Sequence, residues 1–340
     1  MKRLQVGLLA LFVLGAGNLW AQSTAPLKLI DTIAMPGYHE GDFDHFMVDL
    51  PGHRLFSAGE ENGTVAVIDT RTDKVLHVIS GLKSPHSMLL RHASDRLFVV
   101  DGDASEIKVY NATTYKLIKH IPMVIDADSI TYDPATHDLY VVAGGRAAHT
   151  PYSFIEIVDT DTATVVGRIK VDTNRIEALQ LEHHGPYLYA NLTGIDAVGK
   201  FNRVTRKLVA TWPTGNEGKV NVPLGFDEKD HRLFVVTRDP AKLVVLDSQT
   251  GKVITSLPCV SNADDETYDP VSRRIYVPGD NYIYVYQQHD ADHYTLLGKV
   301  PGAPFRAMTG MVVPALNRYY LAVPLHDGHP AEVKVYAVVR

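Results

Sequence analysis

The sequence predicts an all-β, seven-bladed propeller with four strands per blade, and three observations carry that prediction. A turn followed by a short β-rich run recurs seven times, further strands follow each copy at similar offsets, and the start of the chain supplies the strand that the last copy lacks.

The recurring runs are GHRLFSA (52–58), SDRLFVV (94–100), THDLYVV (136–142), HGPYLYA (184–190), DHRLFVV (230–236), SRRIYVP (272–278) and LNRYYLA (316–322). Aligning Leu55, Leu97, Leu139, Leu188, Leu233, Ile275 and Tyr319 gives steps of 42, 42, 49, 45, 42 and 44 residues. The next strand in each unit is VAVIDT, IKVYNA, IEIVDT, VGKFNR, LVVLDS, YIYVYQ or VKVYAV. Polar turns such as RTDK and QTGK then lead into VLHVIS, KLIKHI, TVVGRI, KLVATW, KVITSL and YTLLGK. One more short run precedes each unit's first turn, as in HFMVD, SITYD, LGFDE and ETYD. Four strands bounded by Asp, Asn, Gly or Pro make a blade. The last strand type is missing after VKVYAV, so LKLIDTIAM (27–35) is expected to complete the seventh blade, close the ring and cover its edges.

Of the 340 residues, 45% are hydrophobic and 21% charged, which excludes disordered, collagen-like and coiled-coil classes. Met1–Ala21 combines a basic start, the apolar run VGLLALFVLGAG and a small residue at its end, the pattern of a signal peptide cut after Ala21. The expected product is periplasmic or secreted, with residues 22–340 as a single propeller domain. The apolar run is too short to span a membrane, and no longer one follows. Net charge is −6, and −8 for residues 22–340, which argues against nucleic-acid binding by bulk charge. The one cysteine, Cys259, excludes an intramolecular disulfide and is expected to be a small buried residue at a strand end.

YDPATHDLYVV and YDPVSRRIYVP, with RLFVV and RRIYVPGDN, resemble the YVTN-type β-propeller repeat of secreted bacterial and archaeal proteins. The resemblance covers residues 22–340. It is weakest at LEHHGPYLYAN and VPALNRYYLAV, which lack the aspartate and part of the signature. It implies export and architecture; no single activity comes with the repeat.

Loops that enter the innermost strands share a face with the loops joining second to third strands, so residues from many blades meet there. The aligned position carries Asp44, His86, Asp128, Glu177, Val222, Asp264 and Met308. The next carries His45, Ser87, Ser129, Ala178, Pro223, Asp265 and Thr309, and two before the first come Asp42, Ser84, Asp126, Arg175, Val220, Asn262 and Arg306. Repeated turn aspartates such as Asp49, Asp133, Asp227 and Asp269 are explained by capping of their own backbone. A position whose identity changes from blade to blade points instead to a ligand. The expected ligand-binding set is Asp44, His45, His86, Asp126, Asp128, Arg175, Glu177, Asp264, Asp265 and Arg306. Asp44, His86, Asp128, Glu177 and Asp264 form the candidate set for a divalent metal ion; a solvated acidic rim is the plain alternative.

The long loop Gly144–Ser153 is expected to overhang the same mouth with Arg146 and His149, and PLHDGHP to bring His326, Asp327 and His329 there. DADHY (290–294) is expected to be a turn on the opposite face. No GxSxG, HExxH, P-loop, GxGxxG or CxxCH is present, which weakens hydrolase, nucleotide, nicotinamide and c-type haem readings. Three readings follow: an exported propeller holding a small ligand or protein segment at its mouth, a metal-assisted hydrolase of lactone type, and, least favoured by the acidic balance, a nucleic-acid binder.

Overall fold

A computed structural model describes residues 25–340. The expected signal peptide, residues 1–21, lies outside them. Seven four-stranded antiparallel sheets form the ring. Blades one to six each use four consecutive strands, innermost first. In blade seven, Gly310–Val313, Arg318–Val323 and Glu332–Val338 are completed by Leu27–Ala34. That closing strand runs antiparallel to Glu332–Val338, from Leu27 beside Val338 to Ala34 beside Glu332, with one irregularity between Leu29 and Asp31.

The middle strands read as near-continuous apolar runs because both faces of each sheet are covered by neighbouring blades. In Thr64–Asp69, Val65, Ala66, Val67 and Ile68 are all fully buried. Seven apolar clusters result, each shared by two adjacent blades. The cluster between blades seven and one joins Ile33, Met35, Val333 and Val335 to Phe46, Leu55 and Ile68, so the closing strand is part of the core as well as an edge cover.

Local chemistry sets the turns. Asp49, Asp133 and Asp269 are buried, and their carboxylates accept backbone N–H bonds from Gly52, Ala135 and Val271 at 3.0, 2.9 and 2.8 Å. The same turns end in a left-handed residue, His53, Asp95, His137, His231, Arg273 or Asn317. Blade four, whose HHGP turn departs from the repeat, has no such residue there. Asp290 accepts the N–H groups of Asp292 and His293 in an exposed turn, as expected. Cys259 is buried in the cluster between blades five and six, and burial pushes its thiol up to about 11. No helix among the described residues is long and apolar enough to cross a membrane.

Candidate functional site

The backbone repeats the same entry into the innermost strands. Asp44, Asp128 and Glu177 donate their N–H groups to the carbonyls of Ala58, Val142 and Asn191 on the second strand, at 2.9, 3.1 and 3.1 Å. The following residues, His45, Ser129 and Ala178, accept from the N–H groups of those same three residues. A shared register therefore carries different side chains to the mouth of the channel. Two voids meet there. An inner one of about 300 Å³ is lined by Asp44, His45, Ser129, Asp128, Glu177, Asp264 and Asp265 among others. An outer one of about 230 Å³ is lined by Glu60, His86, Asp126, Arg146 and Arg175, and shares Asp44, Asp128, Glu177 and Asp264 with the first.

Asp44 is the hub. Its Oδ1 lies 3.3 Å from His45 Nε2, and its Oδ2 meets His86 Nδ1. Asp128 Oδ1 stands 3.7 Å from His86 Nδ1 and 4.0 Å from His45 Nε2. From the entry to blade six, Asp265 Oδ1 lies 2.8 Å from His45 Nδ1, while its Oδ2 accepts the Gly310 N–H at 3.0 Å. His86 has room only because residue 102 is glycine: an added Cβ would stand 2.8 Å from its Nε2. Arg175 pairs with Glu177, and Arg238 donates to Asp264 at 2.6 Å.

Charge follows this geometry. Burial opposes the charge on Asp44, yet His45 and His86 outweigh it and hold the carboxyl down at about 2. Burial likewise opposes imidazolium at His86, but Asp128, Asp44 and Glu60 lift it to about 10. His45 is raised well above its ordinary range against burial by Asp44, Asp265 and Asp128. Burial, with Asp44 adding to it, raises Asp128 to about 6. Glu60 is pushed up to about 7 chiefly by burial. Arg175 is lowered to about 10 by burial and by Arg146 and Arg238.

Nine of the ten expected residues line these voids. Arg306 does not; it pairs with Asp42 instead, and its own backbone is left-handed, as it is at the aligned Asp126, Val220 and Asn262. Asp126 lines the outer void with its carboxyl raised by burial. Arg146 lines it too. His326 packs back into its own loop, with Nδ1 2.8 Å from the Pro324 carbonyl and its ring stacked on Phe305. Sequence reasoning missed Glu60 and Arg238. Glu60 sits in an acidic turn, EENG, that reads as ordinary solvated polarity; only its second-to-third-strand position marks it as mouth-facing.

No protein-family profile matches the sequence, and no curated protein matches it either. Solved structures do match. A chain of Kuenenia stuttgartiensis hydrazine synthase is 15% identical with a TM-score of 0.72, covering 88% of this chain and 98% of its own. A chain of the mitotic checkpoint complex is 13% identical with a TM-score of 0.74, over 100% of both. At these identities the likeness is one of fold, a seven-bladed propeller.

Proposed function

We propose that this chain is an exported propeller of the YVTN-repeat kind that binds a small polar ligand at its channel mouth. One observation carries the reading: two voids of about 300 and 230 Å³ meet at Asp44, Asp128, Glu177 and Asp264, walled by side chains from several blades. Together they offer the volume of a small-molecule site. Both signs of charge line the outer void, with Arg146, Arg175 and His86 facing Asp126, Glu60 and Asp128. Such a wall favours a compact guest bearing several hydrogen-bonding groups. A protein segment is a weaker fit, since both voids are small. The net charge of −6 disfavours nucleic acid. Native mass spectrometry of protein recovered from its own periplasm tests the reading. A bound mass released on denaturation is expected, and a Glu177→Gln variant is expected to lose it. Bare protein, or equal retention by the variant, contradicts the proposal.

A further inference from the structure

We propose that the mouth holds two divalent transition-metal ions bridged by Asp44, an inference that rests on the reading of the mouth as the binding site. Two groups of side chains have ligand atoms within 4.8 Å of one another: Asp44, His45 and Asp128, and Asp44, Glu60 and His86. Asp44 belongs to both, and its two oxygens address different histidines, Oδ1 toward His45 and Oδ2 toward His86. A carboxylate placed in this way spans a pair of ions about 3.5–4 Å apart.

Each group supplies one imidazole and two carboxylates, a set suited to zinc, manganese or iron more than to calcium or magnesium. Three protein ligands per ion leave coordination positions open to water or a guest. Those positions have somewhere to face, since His45 lines the inner void, Glu60 and His86 line the outer one, and Asp44 and Asp128 line both.

Asp265, which belongs to neither group, points the same way. His45 turns Nε2 toward Asp44 while its Nδ1 is held by Asp265, whose other oxygen is fixed by the Gly310 N–H. Carboxylates behind the far nitrogen of a histidine are the usual means of orienting it toward a metal. Two added cations beside Arg146 and Arg175 would make the outer void a site for an oxyanion, which narrows the class of guest.

The test is calorimetric titration of metal-free protein with zinc and with manganese, with ion counts from native mass spectrometry. The wild type is expected to bind two ions per chain, Glu60→Gln and Asp128→Asn one each, and Asp44→Asn none. Circular dichroism shows whether Asp44→Asn folds; if it does not, the two single-ion variants still decide the matter. The inference is overturned by no saturable binding, by one ion in the wild type, or by two ions in both Glu60→Gln and Asp128→Asn. An organic guest on protein that binds no ion overturns the metal pair and leaves the binding mouth standing, whereas protein with neither removes both.

Discussion

Asp44 is buried between two histidines, one at each of its oxygens. His86 has a folded pKa of about 10 against 6.5 for the free group. Its pairing therefore contributes fully below pH 6.5 and is lost as pH rises through about 10. In Asp44→Asn, the His86 midpoint is expected to drop by more than one pH unit in a histidine NMR titration; an unmoved midpoint contradicts the pairing. Glu266 is the opposite case. Neither carboxyl oxygen has a hydrogen-bond partner or reaches solvent, and the group lies against Gly225, where an added Cβ would stand 1.8 Å from Oε2. Burial, with Asp265 adding to it, raises its pKa well above 4.5. The folded state then holds a proton that the unfolded state releases, so stability falls as pH rises above 4.5, by up to about 1.4 kcal/mol per pH unit. Urea denaturation of Glu266→Gln is expected to lack that slope. Parallel pH profiles for the two proteins would show that Glu266 is not the source.

At the scale of elements, the closing strand links sequence to architecture most directly. Ile33 and Met35 are 3% exposed in the cluster between blades seven and one, so Ile33→Ala is expected to cost about 2–4 kcal/mol. Deleting residues 27–34 bares the edge of Glu332–Val338 and is expected to abolish a single cooperative melt and cause aggregation. A deletion variant that stays monomeric and melts unchanged contradicts this closure. The strand was legible because each blade repeats one apolar pattern and the chain end lacks one copy. The axial position of Asp44, Asp128 and Glu177 was legible for a related reason: register is fixed by the repeat, so only the side chain is free to vary. Pair partners were not legible. Arg238 reaches Asp264 across blades, and Arg306 turns to Asp42, because side-chain rotamers decide those contacts; the left-handed backbone at Arg306 is shared with Asp126, which does line the outer void. No spacing in the sequence encodes them.

For the whole molecule, ring closure is what turns separate residues into a site. Asp44 and Asp265 are 221 positions apart in the chain, yet both hold His45. Export is the other whole-chain proposal: N-terminal sequencing of protein recovered from cells is expected to begin at or within a few residues of Gln22, and cytoplasmic protein retaining Lys2 contradicts it. Blade number and closure are properties of the fold that proteins of unlike sequence share, whereas the charged lining of the two voids belongs to this chain. The most direct test of the binding mouth is a crystal structure of protein purified from the cells that make it. The account predicts non-water density in the joined voids, touching Asp128 and Arg175; water alone there, with a guest bound elsewhere on the ring, would contradict it.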